Sequence, residues 1–162
     1  MGQQQLLLVI LVTIIVGIAT VVAINTFGAA ADTAAQDAVR QDIASIAAGA
    51  QGYYMKPRML GGGARSFDGL TFNDIAFSGG LGVVGGEGDD ADDENPREAT
   101  NQNGTFTLVG TDGETYGTGG AQFFTVEAVV NDTDQSVIWA RICRDGVGIS
   151  PIGATAAPDN CD

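Results

Sequence analysis

The chain is predicted to fold as an α+β subunit, with a long N-terminal helix, apolar in its first half and amphipathic in its second, packed on a C-terminal antiparallel β-sheet head. Three observations predict this. Residues 6–24 form an uncharged apolar run. Apolar residues then recur at helical spacing as far as Tyr54, with charged residues on the other faces. Beyond Pro57 the pattern changes to short runs of β-branched and aromatic residues separated by Gly, Asn and Asp.

Fourteen of the nineteen positions from Leu6 to Ile24 are Leu, Ile or Val. At a rise of ~1.5 Å per residue they span roughly 28 Å, close to the hydrocarbon thickness of a bilayer. At about −0.3 to −0.6 kcal/mol for each of those fourteen, insertion is favourable by roughly −4 to −8 kcal/mol. The first opposing charge is Asp32. No basic residue precedes the run, whereas a secretory signal carries a positive leading segment, so the run is expected to remain in the finished protein. A chain of 162 residues has too little remaining mass to bury such a rod on all sides as a soluble core helix.

From Ala29 the helical pattern changes character without stopping. Ala35, Val39, Ile43, Ile46, Ala50 and Tyr53/Tyr54 recur at steps of three and four, while Asp32, Gln36, Asp37, Arg40 and Gln41 occupy other faces. Asp37 and Arg40 are spaced to pair at i,i+3. Gly49, Gly52 and Pro57 mark where the helix weakens and ends. The predicted organisation is therefore a helix over 1–56, divided into a membrane or filament-core segment 1–28 and an amphipathic segment 29–56, followed by a head over 57–162. The second helical segment can lie on its own sheet. The first must be covered by lipid or by copies of itself, which makes self-assembly a physical expectation.

The head opens with Gly61, Gly62 and Gly63 beside the basic residues Lys56, Arg58 and Arg65, a composition that predicts an irregular connection. β-type runs follow at 70–77, 105–109, 122–130 and 136–143, with a weaker one at 147–150. Asp112-Gly113, Asn131 to Asp134 and Asp145-Gly146 supply turn chemistry. Consecutive hairpins imply an antiparallel sheet. Phe123, Thr125, Glu127 and Val129 alternate with Phe124, Val126, Ala128 and Val130, so both faces are partly apolar: one suits the helix stripe, the other loops or a neighbouring subunit.

This two-part helix ahead of a β-rich head resembles the type IV pilins, and the resemblance covers the whole architecture. In that family a basic leader is cut after a glycine, the new N-terminal residue becomes methylated, and the N-terminal helices bundle in the filament core. The resemblance implies that Met1 is the processed, methylated residue and that Gln5, Leu8, Val12, Ile15, Gly17 and Val22 pack in the core. Two positions depart from the family pattern. Gln5 stands where the family usually has Glu, and it cannot neutralise a neighbour's terminal amine. Val22 stands where a proline often sits, so the helix is expected to be more continuous here.

Cys143 ends a predicted strand and Cys161 is next to the last residue. In an exported head a disulfide between them is the natural reading, in keeping with the pilin pattern, and two reduced buried thiols are the alternative. Two cysteines without a histidine provide too few ligands for structural zinc.

With 20 acidic and 7 basic residues the net charge is −13. Nucleic acid is not an expected partner for such a surface. The balance suits a saline, halophile-like environment, where counterions screen repulsion between packed copies. Gly80 to Gly85 matches G-x-G-x-x-G, but no helix follows and Glu87, Asp89, Asp90, Asp92, Asp93 and Glu94 would repel a pyrophosphate. The same acids fit a solvated loop better than a calcium loop, because Asn95 and Asn101 stand where an EF-hand needs Gly and Glu. Asn103 and Asn131 head glycosylation sequons at predicted turns. The absence of histidine and of a Gly-x-Ser-x-Gly elbow argues against an enzyme, and no cofactor is expected.

The function these features imply is that of a structural subunit of an extracellular type IV pilus-like filament, inserted in the inner membrane before the pilus machinery assembles it into a homo-oligomer. Adhesion, motility or DNA uptake would follow. A pseudopilin of a type II-like secretion system and a single-pass membrane-anchored binding protein are the alternatives.

Overall fold

The computed structural model describes residues 2–82, 97–110, 122–132 and 135–161. Helix α1, Gly2–Met55, is a single unbroken element of 54 residues. It stays helical through Gly17, Thr20 and Val22, as the absence of proline from this stretch leads one to expect. Its contacts divide the chain inside the helix, into a unit Met1–Ala34 and a unit Ala35–Asp162. The second half of the helix thus belongs with the sheet, while the first unit consists of helix alone.

In the second unit six strands form one antiparallel sheet in sequence order: β1 Gly80–Gly82, β2 Glu98–Thr100, β3 Gly104–Val109, β4 Phe123–Val130, β5 Val137–Cys143 and β6 Val147–Ile149. Pairing Phe106 with Ala128, Val126 with Ala140 and Phe124 with Ile142 sets one face apolar across three strands. Phe124, Val126, Ala128 and Val130 are fully buried on that face. They share one core with Val39, Ile43, Ile46, Ala47, Ala50 and Tyr54 of α1, so the stripe read from the sequence is the face that packs. Asp37 and Arg40 do pair, at 3.0 Å.

Three features differ from the sequence expectation. Residues 70–77 are not a strand. Their backbone turns, with the Asp74 carboxylate accepting from both the Thr71 N–H (3.1 Å) and the Thr71 hydroxyl (2.8 Å). Leu70, Phe72 and Ile75 all enter the core from this turn, which alternation along a strand would not allow. Phe72 stacks on Phe77, which meets Phe106 edge-on at 5.2 Å. Strands β1 and β2 were not anticipated: Gly80–Gly82 and Glu98–Thr100 have weak β propensity and owe their conformation to pairing in series against β3.

The end of α1 is closed by the glycine-rich loop, which folds back on it. The N–H groups of Gly63, Arg65 and Ala64 reach the carbonyls of Tyr53 (3.0 Å), Tyr54 (2.8 Å) and Lys56 (3.0 Å), giving the last turn the partners a helix terminus lacks. Tyr53 donates its hydroxyl to the Asp68 carbonyl at 2.9 Å. Burial, followed by the charges of Asp74 and Asp68, raises its pKa above the usual phenol value, with Arg58 opposing. The folded state therefore holds this proton longer than the unfolded chain. Its contribution to stability is complete below about pH 10 and is lost as pH climbs from there through the folded value. Stability measured by denaturant should fall above pH 10 more steeply in the wild type than in Tyr53→Phe. Equal slopes would remove the linkage.

The far edge of the sheet is finished by the tail. Ser150 continues the ladder, its N–H reaching the Trp139 carbonyl at 2.8 Å, and Gly153 donates to the Val137 carbonyl at 3.0 Å. The chain then returns across Gly146 and Gly148, where an added Cβ would strike the Cys161 and Asn160 carbonyls. Arg141 donates to the Asp159 carbonyl and lays its guanidinium 3.9 Å from the Phe123 ring centre. Cys143 and Cys161 are joined in a disulfide with Cα atoms 6.2 Å apart. Closing a loop of this size contributes about 3 kcal/mol through the unfolded chain. Cys161→Ser should lower the melting midpoint of the head by roughly 10 °C and leave membrane insertion unchanged, and an unaltered midpoint would contradict that assignment.

Candidate functional site

The first unit presents an apolar surface that no other described residue covers. Its fifteen large apolar side chains from Leu6 to Phe27 are all exposed, from 48 % at Val12 to 76 % at Phe27. Each Leu, Ile or Val is worth about 1.5–3 kcal/mol on full burial, so covering this surface is favourable by on the order of 20 kcal/mol or more. No charged residue lies on the helix before Asp32. The helix is long and apolar enough to cross a membrane.

Gln5, Leu8, Val12, Ile15, Gly17 and Val22 all lie on this exposed stretch. At about 100° per residue, five of them fall on one stripe roughly 100° wide and Gly17 falls on the opposite side. The exposure is not confined to the stripe, because Leu7, Ile14, Ile18 and Val21 on other faces are equally uncovered. A surface apolar all round accommodates lipid or several neighbours and is too broad for a single dimer seam.

The polar atoms on this stretch are handled in a way that the sequence reading missed. Thr13, Thr20 and Thr26 donate their hydroxyls to the carbonyls of Ile10, Val16 and Val22, each at 2.8 Å, and Thr33 does the same to Ala29 at 2.9 Å. Such back-bonding removes the need for water and suits a dry environment. The signal was available, since Thr recurs at steps of seven, six and seven.

In the second unit, the Asp42 carboxylate accepts from the side-chain amides of Asn101 (2.7 Å) and Asn103 (2.8 Å), and Asn101 Oδ1 accepts from the Asn103 and Gly104 N–H groups. This network ties α1 to the turn between β2 and β3. It also engages the Asn103 nitrogen that glycosylation would modify. Asn131 is more accessible, its amide reaching the carbonyl of Gln102 at 3.3 Å on the exposed surface.

At the end of α1, Arg65 and Arg144 line a cleft of about 600 Å³ with Tyr54, Met55 and Gln122. The Tyr54 hydroxyl and Gln122 Oε1 are 3.2 Å apart. Arg144 pairs with Asp145 at 2.7 Å, which raises the guanidinium pKa further and holds the Asp145 carboxyl below its usual value. Arg144 thus meets Arg65, one of the three basic residues that the sequence displayed together as Lys56, Arg58 and Arg65.

Met1, the acidic run 87–94, the Asp112-Gly113 turn and the end of the G-x-G-x-x-G match lie outside the described residues, and Gly80–Gly82 of that match form β1. Among the described residues no group of three or more His, Cys, Asp or Glu side chains forms a metal site. The chain matches no protein-family model, no curated protein and no solved structure.

Proposed function

We propose that this chain is a structural subunit of an extracellular filament of the type IV pilus kind, built by bundling of N-terminal helices with the acidic β-heads outside. The observation that carries this reading is the uncovered helix of the first unit, apolar on every face. A lone membrane span accounts for apolarity but does not require an amphipathic half joined without a break to a sheet. The subunit is inserted in the inner membrane before the pilus machinery extracts it, and Gln5, Leu8, Val12, Ile15, Gly17 and Val22 then pack against other copies. Met1 is the processed and methylated terminus. The role is mechanical, supporting adhesion, motility or DNA uptake, with no catalytic step and no cofactor.

The disulfide and the apolar helix agree with a head outside the cytoplasm. Electron microscopy of cells expressing the full chain tests the reading: long surface fibres labelled by an antibody to the head are expected. Short stubs confined to the envelope would favour the secretion pseudopilin. A detergent-soluble monomer that never polymerises would favour a membrane-anchored binding protein and overturn the filament.

A further inference from the structure

Four of the seven basic residues of a chain with net charge −13 gather where α1 ends. The returning loop brings the Ala64 N–H onto the Lys56 carbonyl and the Arg65 N–H onto the Tyr54 carbonyl. Arg65 and Arg144 share one cleft. Arg58 opens the short 3-10 turn Arg58–Leu60 two residues after Lys56, and its charge opposes those of Asp74 and Asp68 at the Tyr53 phenol. Among the described residues Lys56, Arg58 and Arg65 form no ion pair, and the carboxylate paired with Arg144 belongs to the adjacent, exposed Asp145. The other three cations differ: Arg40 pairs with Asp37, Arg141 is held under the tail, and Arg97 has an interaction of its own.

Three cations without an ion pair among the described residues, beside an Arg144 that keeps its exposed Asp145, attract further carboxylates on an otherwise acidic molecule. The densest source in the sequence is the run 87–94, which carries six acids in eight residues with no base among them. We propose that the cationic patch formed by Lys56, Arg58, Arg65 and Arg144 docks the acidic run 87–94 of a second copy of this chain. This rests on the filament reading, in which the neighbours of each head are copies. Patch and run are different surfaces, so each subunit uses one of each, and the contact repeats along a helical polymer without closing on itself. It also offsets locally the repulsion between heads of net charge −13. Exposed ion pairs are individually weak, so the contact orients successive heads, while the apolar helices drive assembly.

Lys56 is the sole lysine, which makes the test specific. A water-soluble carbodiimide joins carboxylates to amines as amides, so every amide formed between two side chains must involve Lys56. Full-length chain of natural isotope content and ¹⁵N-labelled full-length chain are mixed equally, assembled into fibres, treated, digested and read by mass spectrometry. In parallel the same mixture is crowded into lipid vesicles. The expected product links Lys56 to an acid of the run 87–94, with about half of the linked pairs carrying one light and one heavy partner. Arg65→Glu with Arg144→Glu should lower its yield at least tenfold without moving the melting midpoint of the head.

Linked pairs of one isotope only, which would place the run on its own head, overturn the proposal. So do linkage to other carboxylates, no linkage, or a yield indifferent to the charge reversal. Failure to form fibres would sink the filament reading separately, because mixed pairs in vesicles still report the contact between copies.

Discussion

Replacing Val12 or Ile15 with Asp should abolish fibres, while the variant chain should still enter the membrane. The two outcomes separate because their energies differ. A carboxylate at the centre of an apolar helix costs about 2.5–3.5 kcal/mol, which a favourable insertion sum of roughly −4 to −8 kcal/mol absorbs. In a bundle the same charge recurs in every subunit and meets apolar side chains of several neighbours with no cation to pair with, since the helix carries no basic residue before Arg40. Val12→Leu keeps the surface apolar and should assemble as the wild type does. Membrane fractionation together with electron microscopy checks both halves. Normal fibres from Val12→Asp would contradict the bundled core, and loss of insertion would show the carboxylate to cost more than this arithmetic allows.

Phe124→Ala should come close to unfolding the head. Phe124 is fully buried on β4 and its ring lies 5.1 Å from that of Phe67, which in turn lies 4.9 Å from Tyr54 on α1. This column joins sheet, loop and helix, so truncating its sheet member removes the contact with Phe67 and leaves a void that three elements must fill. Such truncations cost about 3–5 kcal/mol, a large part of the 5–15 kcal/mol that stabilises a typical domain. Thermal unfolding followed by near-ultraviolet circular dichroism should show the midpoint drop steeply, and Phe124→Leu should recover more than half of the loss. A shift of only a few degrees in the alanine variant would mean that the column is not central to the core.

Much of this architecture was legible because it is written in periodicity. Val39, Ile43, Ile46 and Ala50 repeat at three and four, and that pattern admits one buried helical face. Phe124, Val126, Ala128 and Val130 repeat at two, and a strand buried on one side answers to it. Leu70 to Phe77 misled because Leu70, Phe72, Ile75 and Phe77 imitate a β run, whereas the Asp74 carboxylate stabilises a turn by accepting from Thr71. Nothing local in Glu98, Ala99 and Thr100 speaks for a strand, and their conformation depends on Thr107, Phe106 and Thr105 lying opposite.

The candidate site divides in the same way. That Leu6 to Ile24 must be covered is a property of composition, since apolar area seeks burial wherever it lies in the fold. The clustering of Arg65 with Arg144, and of Asp42 with Asn101 and Asn103, joins residues some sixty to eighty positions apart, and neither spacing nor residue type encodes such a meeting. The amino-acid sequence by itself determined a rod with an apolar front, an amphipathic rear and a β-rich head, because hydrophobic period is a local quantity. Only the tertiary structure decided which strands join the sheet, how the tail crosses Gly146 and Gly148, and where the scattered cations converge, because those outcomes depend on distances set by the packed chain as a whole.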